Sequence, residues 1–310
     1  MPSTQRLSAV AVLPLALAIL APVLWGGNFV VGRAMEANLN PIALNSFRWC
    51  VAAVVVAPFA LFSLIRSWSA IVANLPILFF ASALGVVAFN AVLYAALTMT
   101  TASNAGLIFA ATPFVILAIR CVELRSLPAR AEVAAMAISM IGVAIVFFGA
   151  ATGTGTTHGA APSLSGGVLV ALASLIWAAY CCVVMKLPKE IRSDAAFFAQ
   201  ILIGIALMTV PTLVLTGIDE VRALTTMDLV GIAYLGIFAA AIAFFAWQTA
   251  LISIGARRAG IFLNLIPISG VLLSALLLGE RIKPHHMIGG ALILASAVWL
   301  QARASEAATR

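Results

Sequence analysis

Apolar residues fill ten stretches of about 20 residues each, separated by short polar joints. They lie near 10–32, 42–63, 75–98, 102–120, 133–150, 165–185, 195–215, 229–251, 258–278 and 285–302. As a helix, a run of this length rises about 30 Å, the thickness of a bilayer's hydrocarbon core. The pattern predicts an all-α integral membrane protein with ten transmembrane helices. The joint at 151–163, ATGTGTTHGAAPS, is rich in Gly and Thr and has no formal charge. It reads as a flexible periplasmic linker between a first half, 1–150, and a second half, 164–310.

The two halves repeat one another. ALTMTTASNAG at 96–106 aligns with ALISIGARRAG at 250–260, and Pro113 falls on Pro267, all at an offset of 154. Trp25 falls on Trp177 and Pro58 on Pro211, at offsets of 152 and 153. Five helices per half is an odd number, so the second half starts from the opposite side of the membrane. The repeats are then inverted, as in many secondary transporters, and should surround a central cavity. Trp25 has a partner in Trp177, so the first apolar stretch reads as a helix and not as a cleaved leader.

Charge fixes the orientation. With a cytoplasmic N-terminus, 12 Lys and Arg fall inside, four outside, and Arg48 within a span. Both termini should then be cytoplasmic. Only 9% of residues are charged and 64% are hydrophobic, too little charge to cover a soluble surface of this size. The net charge of +7 belongs to the flanks of the spans, and no basic run carries interleaved aromatics for nucleic acid. Cys50, Cys121, Cys181 and Cys182 lie in or beside apolar spans without C-x-x-C spacing, so no metal site and no cofactor is expected.

Three stretches carry a resemblance. LWGGNFVVGRAM (24–35) resembles the opening helix of the drug/metabolite transporter superfamily. LLLGERIKPHHMIGGALILASAVWL (276–300) resembles the Gly-Glu-Arg and final-helix signature of its ten-helix EamA branch. IWAAYC (176–181) is similar to the sixth helix of YddG-type amino-acid exporters. The first half departs from the pattern, with Val-Glu-Leu-Arg at 122–125 in place of Gly-Glu-Arg. The resemblance implies export of amino acids, related metabolites or cationic drugs. With abundant Ala and neither an N-x-[ST] sequon nor an organelle signal in the sequence, a bacterial inner membrane is the expected location.

In such carriers the solute site lies near the midplane, where the repeats meet, and polar side chains at that depth face the interior. Trp25 and Asn28 share one helix face with Gly32, and Asn90 and Tyr94 share another. Phe244 and Gln248 occupy the repeat-equivalent positions of Asn90 and Tyr94, with Trp247 beside them. Trp177, Tyr180 and Asn264 complete an uncharged amide–aromatic set that suits a zwitterionic or amphipathic solute. The same amides could instead bond neighbouring helices, and the aromatics could pack as core. Pro113 and Pro267, at equivalent depths, suit a pair of hinges or static bends. Arg48 reads either as a snorkelling side chain or as a solute contact. Trp68 and Trp299 read as interfacial belt residues.

No nucleotide-binding G-x-x-x-x-G-K-[ST] is present, and no Asp, Glu or His lies deep in a span. The expectation is facilitated export, or coupling by a route the residues do not reveal. No paired deep Asp, Ser–His set or H-E-x-x-H supports an intramembrane enzyme. A channel stays open as an alternative. The leading expectation is an alternating-access exporter of small amphipathic solutes, above all aromatic and other neutral amino acids.

Overall fold

The computed structural model describes residues 9–35, 38–123, 125, 127–151, 163–255, 259–260, 262–263, 265–279 and 281–308. All regular structure among them is helical. In chain order the main helices are α1 (Ala9–Ala34), α2 (Pro41–Arg66), α3 (Leu75–Leu97), α4 (Ala102–Glu123) and α5 (Arg130–Ala151). Then come α6 (Leu164–Val184), α7 (Ser193–Leu215), α8 (Thr226–Ile254), α9 (Leu265–Leu277) and α10 (Pro284–Ala308). Among the described residues, seven helices, α1–α4 and α6–α8, are long and apolar enough to cross a membrane. The ninth apolar stretch is described as a continuous helix only from Leu265, and its 13 residues fall short of a span. Most of the linker, and Asn264, lie outside the described residues.

Local chemistry sets the helix ends. Asn40 caps α2, accepting from the Ala43 N–H at 2.9 Å, and Pro41 opens the helix where its missing N–H costs nothing. Thr101 and Ser163 cap α4 and α6 in the same way. Thr225 and Asp228 form a reciprocal capping box at the start of α8. Gly255, at φ 82°, closes α8 in a conformation that a side chain would strain.

Two helices carry an irregularity at matching places. α3 winds as a π-helix over Ala83–Ala88, and α8 over Leu235–Ile242. Adding the repeat offset of 154 to 83–88 gives 237–242, inside the second segment. A π-turn rotates the residues that follow it relative to those before it. In α3 the residues that follow are Asn90 and Tyr94; in α8 they are Phe244 and Gln248.

Packing also follows the repeat. α2 packs on α7, α5 on α10 and α4 on α9. α1 lies against α8 and α9, and α6 against α3 and α4. Exchanging the halves (1 with 6, 3 with 8, 4 with 9) maps each of these contacts onto another. At the α4–α9 crossing the contacts are reciprocal: Gly106 faces Pro267, and Gly260, just ahead of α9, faces Pro113. α4 is interrupted at Ala110–Ala111, immediately before Thr112 and Pro113. The outer surface is apolar, with Phe59, Phe62, Leu213 and Val214 all exposed, as suits contact with lipid.

Candidate functional site

The centre of the bundle is aromatic. Trp25 stands at its middle, its indole edge-on to Trp177 (5.0 Å between ring centroids), Phe244 (5.4 Å) and Trp247 (5.5 Å). Trp177 packs on Phe89 at 4.7 Å and on Tyr180 at 5.0 Å. Trp49 reaches Phe244 at 5.0 Å from the other side. Edge-to-face pairs at these distances contribute about 0.5–1.5 kcal/mol each beyond area burial. The Trp25 indole N–H donates to the Ala239 carbonyl at 2.9 Å. Ala239 belongs to the π segment of α8, so that irregular winding is tied to α1. On the opposite side, Gly85 in the π segment of α3 lets the Tyr180 ring lie where a Cβ would stand 2.5 Å from it.

Beside the aromatic cluster lies a charge. Arg48 is fully buried, so the snorkelling reading is corrected. Its side chain turns inward because α1 and α3 offer acceptors there. Its Nη1 donates to Asn90 Oδ1 at 2.7 Å, to Asn28 Oδ1 at 3.0 Å and to the Tyr94 hydroxyl at 2.5 Å. Tyr94 in turn donates to Asn28 Oδ1 at 2.8 Å. Gly32 makes room for this, since a Cβ there would stand 2.8 Å from the Tyr94 ring. The guanidinium carbon also lies 5.3 Å from the Trp49 ring centroid, 5.7 Å from that of Tyr94 and 6.0 Å from that of Phe244.

This knot is incomplete. Arg48 Nε and Nη2 are buried and have no hydrogen-bond partner, and the same holds for the indole N–H of Trp49 and of Trp177. No Asp or Glu acts on Arg48 among the described residues. A buried donor left unmade costs about 1–3 kcal/mol, and more when charged. The guanidinium and the adjoining Trp49 indole are thus left short of acceptors.

A small cavity opens between the two clusters, with room for about one water molecule. Trp25, Asn28, Asn90, Trp177 and Phe244 all line it, with Phe29, Phe89, Phe109 and Ile266. The sequence pattern singled out the first five of these. Tyr94 joins the site through Arg48, and Tyr180 and Trp247 join through ring contacts. Gln248 stands apart: its Oε1 accepts from Gln200 Nε2 at 3.3 Å and its Nε2 donates to the Ser193 carbonyl at 3.5 Å. Pro113 and Pro267 sit at the α4–α9 crossing. Side chains fill most of the space expected of an open central cavity.

Sequence reasoning missed Phe29, Phe89, Phe109 and Trp49, which periodicity alone does not separate from lipid-facing residues. It also gave no role to His286, which stays at the start of α10 but is buried, with Nε2 2.7 Å from Asn104 Oδ1. Its Nδ1 accepts from the Lys283 backbone N–H at 3.3 Å, so Nε2 is the donor to Asn104. The bond ties α10 to the start of α4.

The chain matches the model of the EamA-like transporter family twice, over residues 12–148 and 164–301. It is similar to the uncharacterised transporter YetK of Bacillus subtilis, 25% identical over 94% of this chain and 86% of that protein. It is also similar to a protein of Salmonella typhimurium described as a probable amino-acid metabolite efflux pump, 25% identical over 90% of this chain and 91% of that one. A crystal structure with 16% sequence identity shares the fold, at a TM-score of 0.67 over 94% of this chain and 98% of that one. Its family membership and its apolar, membrane-length helices make the chain a multi-pass membrane transporter, a member of the EamA-like transporter family.

Proposed function

We propose that this protein is an alternating-access exporter of small amphipathic solutes, foremost aromatic and other neutral amino acids, from cytoplasm to periplasm. Ten spans form two inverted five-helix repeats, 1–150 and 164–310, joined by the linker 151–163. The protein sits in a bacterial inner membrane with both termini in the cytoplasm. The repeat-symmetric packing and the reciprocal Gly106–Pro267 and Gly260–Pro113 contacts support the inverted arrangement.

The observation that carries the solute reading is the shared cavity. Helices of both halves close on it: the two amides come from the first half, and aromatic rings come from both. Trp25, Asn28, Asn90, Tyr94, Trp177, Tyr180, Phe244 and Trp247 contact the solute in this reading. Gln248 supports the wall through Gln200. The water-sized volume means that helices must part to admit an amino acid. The two ends of the bundle open in turn, and Pro113 and Pro267 let α4 and α9 bend at their crossing. The Salmonella relative, described as an amino-acid metabolite efflux pump, supports the choice of solute. The solute gradient drives export.

Counterflow tests this. Proteoliposomes preloaded with unlabelled phenylalanine, threonine or methionine should accumulate labelled phenylalanine saturably. Folded protein that gives no exchange with any of the three overturns the amino-acid assignment. Unitary conductance in place of counterflow overturns the carrier.

A further inference from the structure

We infer that Arg48 is the anchor for a solute carboxylate, and that the site recognises small carboxylates with an apolar body whether or not they carry an ammonium group. The inference rests on the proposed transport reading only in placing the solute at this cavity.

Three observations support it. First, the guanidinium is fully buried, about 10 Å along α2 from Pro41, and its helix neighbours present only neutral oxygens. A permanent structural ion pair would place a carboxylate here, as buried charges elsewhere are paired. Second, all the partners it has are gathered on Nη1, so Nε and Nη2 stay open. Those two N–H groups can meet the two oxygens of one carboxylate in the bidentate geometry that favours Arg. On the cavity itself, the Trp177 indole offers another unpaired N–H. Third, Arg48 stands just behind the cavity wall: Asn28 and Asn90 line the cavity as well as holding Arg48, and Phe244 lies both on the cavity and beside the guanidinium. A ligand in an enlarged cavity would therefore have its charged end at Arg48 and its body among Trp25, Trp177 and Phe244.

What the site lacks sets the rest of the specificity. Among the described residues no Asp or Glu acts on Arg48, so a cationic solute would meet a buried positive charge with nothing there to offset it. Amide oxygens can accept from an ammonium but do not neutralise it. An amine without a carboxylate is excluded, which separates this site from one for cationic drugs. The depth also argues for a solute over a lipid headgroup, since the guanidinium has no exposure to the outer surface.

The test uses the full-length protein in detergent and in proteoliposomes with four probes: phenylalanine, 3-phenylpropionate, phenethylamine and inorganic phosphate. Thermal stabilisation should follow the first two at least threefold more strongly than the last two, and 3-phenylpropionate should compete with labelled solute in exchange. R48Q should abolish stabilisation by 3-phenylpropionate, while Arg48→Lys keeps part of it. Asn90→Asp supplies an internal carboxylate 2.7 Å from Nη1 and should melt no lower than wild type while binding the probes at least tenfold more weakly. Should R48Q fail to fold, Asn90→Asp and the probe series on wild type still decide. Stabilisation by phenethylamine equal to that by 3-phenylpropionate overturns the inference, as does equal stabilisation by phosphate. Phenylalanine exchange indifferent to 3-phenylpropionate overturns it while leaving the amino-acid reading intact. Stabilisation by 3-phenylpropionate without phenylalanine exchange does the reverse.

Discussion

The two repeats agree in their packing and disagree at the centre. In the first half, Asn28, Arg48, Asn90 and Tyr94 gather into a hydrogen-bonded knot around one charge. The repeat offsets place Tyr180, Ile201, Phe244 and Gln248 at the corresponding positions of the second half. There Tyr180 and Phe244 face each other at 6.2 Å between ring centroids, and Ile201 is fully buried where the first half has Arg48. Duplication preserved the positions that meet at the centre, while their chemistry diverged. Backbone approach, set by Gly, Pro and the π segments, must stay equivalent for the halves to pack. The side chains projecting from it are free to differ. The first half alone supplies the charged pole, while rings from both halves build the apolar one, which is what an amphipathic solute needs from a site.

The largest stability effect should come from Phe244. Phe244→Ala removes ring contacts to Trp25, Trp49 and Trp177. It should cost about 3–5 kcal/mol of unfolding free energy. Asn90→Leu, at the equivalent position, leaves Arg48 with two acceptors on Nη1 and should cost about 2–3 kcal/mol, the worth of a charged hydrogen bond. Denaturant unfolding in detergent measures both. The sharper contrast is in function: Phe244→Ala should weaken solutes in proportion to their apolar body, whereas Asn90→Leu should weaken all carboxylates alike. Equal effects across a graded series such as alanine, methionine and phenylalanine for both variants would remove the distinction between the poles.

The glycines of the π segments give the next effect. A Cβ at Gly236 would stand 2.5 Å from Val51 and 2.8 Å from the Arg48 carbonyl, whereas at Gly85 its nearest neighbours are atoms of the Tyr180 ring, at 2.5 Å. Backbone yields less than a side chain, so Gly236→Ala should cost about 3 kcal/mol and Gly85→Ala about 1 kcal/mol, the two ends of the overpacking range. Melting temperatures in one detergent decide the order. The reverse order would show that Tyr180 is held more rigidly than the backbone of α2, and would place the stiff wall of the site in the second half.

Much of this architecture was legible in the residues. Ten apolar stretches and the Trp25–Trp177 and Pro113–Pro267 correspondences come from composition and spacing, which record burial and repeat. Five of the cavity residues were legible too, because Asn, Trp and a repeat-matched Phe deep in a span need an interior explanation. Arg48 was visible as a lone charge, but its direction was not. Whether it snorkels or turns inward depends on acceptors 20 and 42 residues away in sequence, on α1 and α3. The π segments left no mark, since ALGVVA and LGIFAAAI read as ordinary helix. Gln248 was drawn to the site by its match to Tyr94. Its amide instead bonds to Gln200 on α7 and to the Ser193 carbonyl.

That pair yields the smallest effect and the most direct check on the asymmetry. Gln248 holds the position of Tyr94, yet its bonds are long, 3.3 Å to Gln200 and 3.5 Å to the Ser193 carbonyl. Gln200 already donates to the Ala196 carbonyl at 3.1 Å, and its own Oε1 is unpartnered. Replacing Gln248 with Leu therefore removes two weak neutral bonds and orphans little that was satisfied. Gln248→Leu should cost about 1 kcal/mol, as for an ordinary neutral hydrogen bond. Tyr94→Phe, its counterpart, takes a hydroxyl from a buried charge and should cost about 2 kcal/mol, nearer the value for charged hydrogen bonds. Binding should separate them further. Gln248 does not line the cavity, so the variant should hold 3-phenylpropionate within about twofold of wild type. Tyr94→Phe frees Arg48 to shift and should lose several-fold. If Gln248→Leu proves as damaging to binding as Tyr94→Phe, polar contact with the solute is shared between the halves, and the division into a charged pole and an apolar pole fails.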